Sequence, residues 1–143
     1  MKAQENLFPS SIKAVTIRLK PGDDVKQKLE DLTKTMNIKA GCVLSCAGSL
    51  DKASIRFANQ PNADTLMGKF EIVSLSGTIA VSGYHLHISV SDSTGKTIGG
   101  HVKEGCKVYT TAEIVVGILP GVKYKRETDS TFGYKELVIE KND

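Results

Sequence analysis

Alternation of apolar and polar residues with a period of two runs through nearly the whole chain, and one stretch alone breaks it. Val15, Ile17 and Leu19 alternate with Thr16, Arg18 and Lys20, which predicts a half-buried strand over Lys13–Lys20, ended by Pro21-Gly22. The exception follows at once. Val25, Leu29, Leu32 and Met36 recur at helical spacing and form one apolar stripe, Asp23 or Asp24 caps it, with Asp24 at capping-box distance from Gln27, and the helix stops near Asn37. Beyond it come further strands. Gly41–Ser49 is small and apolar on both faces, as a central or interface strand would be, and Ala53, Ile55 and Phe57 alternate with Lys52, Ser54 and Arg56. Asn59–Gly68 reads as a polar loop, and Phe70–Ile79 as a longer strand whose alternation slips around Val73–Leu75, through a bulge or burial on both faces. Tyr84–Ser91 and Thr97–Val102 form a hairpin. Ala112–Leu119 is rich in Ile and Val, with a start that could be helical, and short strands around Val122–Glu127 and Lys135–Glu140 close the chain. The expected fold is α+β: a single domain over residues 12–141 with a largely antiparallel sheet and one principal amphipathic helix after the first strand, preceded by an N-terminal extension, residues 1–11.

Composition excludes several classes of function. A net charge of +3 with only three arginines (Arg18, Arg56, Arg126) lacks the dense basic stripe of a strong nucleic-acid binder. The N-terminal residues hold no signal-like apolar stretch, and the longest apolar run, Ile114–Val122, falls well short of the roughly 18 residues of a membrane helix. Three cysteines are an odd set for a disulfide framework, so a reduced, cytoplasmic protein is expected. Cys42 and Cys46 share a strand and read as a metal pair or, more simply, as small buried thiols. No phosphate-cradling glycine loop is present.

All three histidines cluster: His85 and His87 in Tyr84–Ser91, and His101 after Gly99-Gly100. If Leu86, Ile88 and Val90 face the core, His85 and His87 share the opposite face, and His101 lies opposite to Ile98 and Val102 by the same parity. A five-residue loop, Asp92–Lys96, pairs Ser91 with Thr97 and sets His87 directly across from His101. Three imidazoles then converge as zinc ligands would, with a fourth position open. Gly99 and Gly100 would let something approach the backbone there. The same cluster also reads as a solvated or intersubunit surface without metal.

At this hairpin the chain resembles a known family. His85-Leu86-His87-Ile88-Ser89-Val90-Ser91-Asp92, then Gly95-Lys96, Gly99-Gly100-His101 and Thr111-Ala112-Glu113-Ile114-Val115, is similar to the plants and prokaryotes conserved (PPC) domain. Gly68-Lys69-Phe70-Glu71-Ile72-Val73 resembles its Gly-Arg-Phe-Glu-Ile-Leu segment, Ser74-Leu75-Ser76-Gly77-Thr78 continues the likeness, and the tail residues Arg126, Asp129, Gly133-Tyr134 and Glu136-Leu137 resemble free-standing prokaryotic members. The resemblance implies a compact α+β homotrimer. In plants such domains follow AT-hook motifs that bind AT-rich DNA, while the domain itself mediates self-association and protein contacts. No Arg-Gly-Arg-Pro core occurs here, so the DNA-binding label belongs to a module this chain lacks.

Other residues carry two readings. Arg56 and Glu71 join a site near the histidines or form a cross-strand or intersubunit ion pair. Glu113 is a fourth ligand, a catalytic base, or a local pairing residue. Gly68, Lys69, Phe70, Glu71, Ile72 and Val73 form a partner-binding strip, or plain sheet in which Phe70 and Ile72 are core and Lys69 and Glu71 exposed. The function these features favour is a non-enzymatic PPC homotrimer that binds zinc or a small ligand and a protein partner. The alternatives are a zinc-dependent hydrolase, since three histidines can lower the pKa of bound water to ~7, and weak DNA binding through Lys123, Lys125 and Arg126.

Overall fold

The computed structural model describes residues 7–143; the first six residues of the expected N-terminal extension lie outside the described residues. In chain order the elements are β1 (Lys13–Leu19), α1 (Val25–Thr35), β2 (Gly41–Arg56), β3 (Asp64–Ala80), β4 (Gly83–Ser91), β5 (Thr97–Val102), β6 (Lys107–Ile118), β7 (Val122–Thr128) and β8 (Lys135–Lys141). All pairings between strands are antiparallel, which makes the fold the α+β class read from the sequence.

β2 organises the main sheet. It pairs with β6 along one side and β3 along the other, and its last residues, Ile55 and Arg56, pair with Val102 and His101 of β5. Because β3, β4 and β5 also pair in succession, β2–β3–β4–β5 closes on itself, with β6 and β1 extending from β2. The two strands expected over Gly41–Ser49 and Ala53–Phe57 are thus one strand, continued through a register shift between Leu50 and Lys52. A bulge lets the chain keep Leu50, Ala53 and Ile55 buried on either side of the shift. The slip expected around Val73 is likewise a bulge, between Ile72 and Ser74, and it turns Val73 outward.

α1 starts where expected. The Asp24 carboxylate accepts from the Gln27 amide (3.1 Å) and from the Gly105 amide (2.7 Å), tying the helix to the β5–β6 loop. Its buried stripe differs from expectation: Val25, Leu29 and Thr33 are buried, whereas Met36 is the C-cap and exposed. Thr33 tolerates burial because its hydroxyl donates to the Glu30 carbonyl (2.8 Å) and accepts from the Tyr84 phenol (2.6 Å). Two further boundaries differ. β3 begins at Asp64, inside the expected loop, because Asp64–Met67 pair with β2, and β6 is strand from Lys107, with no helical start, because it is held between β1 and β2.

β7 and β8 form a separate two-stranded sheet. Ser82 Oγ donates to the Tyr124 carbonyl (2.6 Å) and an Arg126 guanidinium nitrogen donates to Thr78 Oγ1 (2.7 Å), which docks this sheet against the β3–β4 corner.

The altered helix stripe is testable by denaturant unfolding. Leu29→Ala should cost about 2–5 kcal/mol through a core cavity, and Met36→Ala should stay within about 0.5 kcal/mol of the parent. Equal losses would contradict the packing of α1.

Candidate metal centre

The β4–β5 loop determines which side chains meet. The Asp92 carboxylate accepts from the Thr94 amide (2.8 Å), the Thr94 hydroxyl (2.6 Å) and the Lys96 amide (3.1 Å), and Gly95 takes the left-handed conformation that closes the turn. The register that follows is Ser91↔Thr97 through His87↔His101, as the loop length predicts. Leu86, Ile88 and Val90 are buried, so His85 and His87 project from the other face, and His101 joins them because Val102 turns inward.

Nε2 of His85 lies 3.2 Å from Nε2 of His87, which lies 3.2 Å from Nδ1 of His101. One ligand atom from each ring fits within 4.8 Å of the other two. Two nitrogens each ~2.0–2.1 Å from a tetrahedral zinc ion stand about 3.4 Å apart, close to the His85–His87 and His87–His101 spacings. Burial pushes the His85 imidazole below its ordinary pKa, aided by His87 and Arg126 and opposed by Glu136. Burial does the same for His101, followed by Arg56 and the two other histidines. Both effects favour neutral rings with free lone pairs, the form that binds metal.

The flanking glycines have a different role from the one expected. A Cβ on Gly99 would stand 2.5 Å from the Ile88 carbonyl oxygen, and one on Gly100 would stand 2.6 Å from the Arg56 carbonyl oxygen. What approaches the backbone here is the neighbouring strand, and the glycines let β5 close against β4 and β2. Gly77, with φ +137°, does the same for β3, since a Cβ there would collide with the His85 carbonyl.

Arg56 stands across from His101 on β2 and donates to the Gln60 carbonyl (3.0 Å). Glu71 does not join it. Glu71 pairs with Ser91, four residues along β4 from His87 and thus about 13 Å away at ~3.3 Å per residue; neither residue forms an ion pair among the described residues. Glu113 is on β6, opposite Ala47 of β2, nine residues along β2 from Arg56, which pairs with His101, so at ~3.3 Å per residue it lies far outside ligand distance of the histidines. Among the described residues the three histidines are the sole group arranged to hold a metal. Cys42 and Cys46 are half-buried free thiols, and burial pushes Cys46 up to about 11; Cys106 is buried against Ser54. In the proposed partner strip, Phe70 and Ile72 turn inward while Lys69, Glu71 and Val73 are exposed beside Gly68, and the Lys69 ammonium lies over the Tyr109 ring.

A cleft of about 500 Å³ opens beside His85 and His101, lined by Tyr84 and Arg56 of the main sheet and by Arg126, Tyr134, Lys135 and Glu136 of the β7–β8 unit. Periodicity could not have placed these last four residues here, because they belong to another sheet. The tail resemblance, which included Arg126, Tyr134 and Glu136, was the available signal.

A family model described as the Plants and Prokaryotes Conserved (PCC) domain matches residues 8–120. A bifunctional protein GlmU of Synechococcus sp. (strain JA-2-3B'a(2-13)) is 45% identical over 132 residues, covering 92% of this chain. AT-hook motif nuclear-localized protein 10 of Arabidopsis thaliana is 33% identical over 129 residues, 82% of this chain and 36% of its own length. The chain spans 21% of the length of the GlmU relative it matches. Among solved structures, a hypothetical protein from Salmonella superposes with a TM-score of 0.91 at 38% identity, covering 93% of this chain and 96% of that one. A protein of Archaeoglobus fulgidus described as metal-containing superposes with a TM-score of 0.81 at 25% identity, covering 93% and 99%.

The directions of these pKa shifts can be checked by NMR titration of metal-free protein. His85 and His101 should stay neutral below the usual imidazole value of ~6.5, so any stability linked to their neutral rings is present above that value and lost only as pH falls through the lowered ones. Titration of either ring above ~6.5 would contradict the electrostatics described.

Proposed function

Because the chain belongs to the Plants and Prokaryotes Conserved domain family, we propose that it is a self-associating, non-enzymatic domain that holds one zinc ion per chain on His85, His87 and His101. One observation carries this: three imidazoles, from two strands in register, present ring nitrogens within 4.8 Å of one another, with the His85–His87 and His87–His101 spacings close to a tetrahedral ion's edge. The description of the A. fulgidus neighbour as metal-containing supports it. When bound, the ion supplies a Lewis-acid centre with one position left open.

Assembly is a homotrimer on the family resemblance. Exposed Leu44, Met67 and Val81 provide apolar surface for it, and Lys69, Glu71 and Val73 leave a strip on β3 for a protein partner. Contact with DNA is weak and sequence-independent. Lys123 and Lys125 already share one carboxylate, Glu140, at 3.2 and 2.7 Å, and Arg126 is held beside the cleft by Thr78, so this edge presents no dense stripe of free cations to a phosphate backbone. The free thiols suit a reduced, cytoplasmic setting, and among the described residues no helix is long and apolar enough to cross a membrane.

Elemental analysis of untagged protein should find about one zinc per chain, and His101→Ala should abolish stoichiometric binding while leaving the fold intact, because the ring stands opposite the core face. Full zinc retention by His101→Ala would refute the three-histidine site. Light scattering at micromolar concentration should give three times the 15.4 kDa chain mass, and a monomer mass would refute the trimer.

A further inference from the structure

We propose that the cleft between the main sheet and the β7–β8 unit binds a small oxyanion, a molecule bearing a carboxylate or a phosphate, clamped by Arg56 and Arg126 beside the histidine cluster.

The cleft gathers three cations, Arg56, Arg126 and Lys135, against one carboxylate, Glu136. None of the three cations forms an ion pair among the described residues. The two arginines are half-buried, and each is anchored through a neutral acceptor, the Gln60 carbonyl for Arg56 and the Thr78 hydroxyl for Arg126. Such anchors hold a guanidinium in place without cancelling its charge, and they leave other N–H groups of the planar fork for a bidentate partner. Like charges gathered in one partly desolvated cleft repel, and an anion removes that repulsion. The volume, about 500 Å³, suits a small molecule.

Position supports the same assignment. Arg56 reaches the cleft because β2 pairs with β5 opposite His101. Arg126 reaches it from β7, and Gly83 makes room for its stem, since a Cβ on Gly83 would stand 3.2 Å from Arg126 Cγ. Arg126 and Lys135 lie beyond the residues 8–120 matched by the family model, on the β7–β8 unit. The cations converge on one cleft instead of lining an extended stripe, which favours a compact ligand over a duplex backbone. The clamp rests on the zinc reading for one contact alone: an oxygen of the anion can take the position that three histidines leave open.

Isothermal titration of the full chain with phenyl phosphate and with benzoate tests the clamp, in zinc-free and zinc-loaded protein. At least one probe should bind, and the tighter of the two names the anion class. Arg56→Gln and Arg126→Gln should each weaken binding by about tenfold without changing zinc content. Arg126→Lys, which keeps the charge and loses the fork, should fall between Arg126→Gln and the parent. Lys34→Gln, which removes an equal charge from the end of α1, should change affinity by less than about twofold. Failure of both probes to bind, or equal weakening by Lys34→Gln, would overturn the clamp. A short DNA duplex that bound tighter than either probe and lost its affinity in the same arginine variants would overturn it in favour of nucleic acid. Arginine-dependent anion binding in a protein that takes up no zinc would refute the metal reading and support the clamp; zinc uptake with no arginine-dependent anion binding would do the reverse.

Discussion

The register of β4 against β5 is the constraint on which the site depends. It is set locally, by a five-residue loop closed on the Asp92 carboxylate, and globally, by Leu86, Ile88 and Val90 entering the core. The two determinants agree, and that agreement makes the pairing specific. A slip of one residue in β4 would drive His85 and His87 into the apolar interior and expose the core residues between them. The histidines therefore meet without any contact of their own having to pay for the arrangement.

Around that hairpin the sheet closes through β2, and closure demands close strand approach. Gly77, Gly99 and Gly100 meet that demand where β3, β4 and β5 come together, next to the imidazoles. The same closure brings Arg56 across from His101, and docking of β7–β8 adds Arg126 from the other side. Guanidinium charge beside the rings opposes their protonation, so the elements that enclose the cleft also keep its imidazoles in the ligating form.

Local patterning made much of this legible. Strand parity and loop length were enough to place His87 opposite His101, and spacing located the helix start at Asp23 or Asp24 and the break in alternation near Val73. Tertiary effects were not legible. Thr33, a polar residue, replaced Met36 in the buried helix stripe because a phenol from β4 satisfies its hydroxyl. A bulge merged two apparent strands into β2, and a pairing partner extended β3 into a segment that reads as loop. Glu113 looked available to the histidines because nothing in a single strand reveals where its residues fall against the other strands of the sheet. Arg126 and Lys135 could not be placed beside the histidines for a related reason: their place in the cleft comes from docking a second sheet.

X-ray absorption at the zinc edge of protein loaded with one equivalent tests the central claim most directly. Three imidazole nitrogens at ~2.0–2.1 Å with one further light-atom ligand are the predicted coordination. Sulfur at ~2.3 Å would place the metal on a cysteine, and would contradict a centre built by the register of β4 and β5.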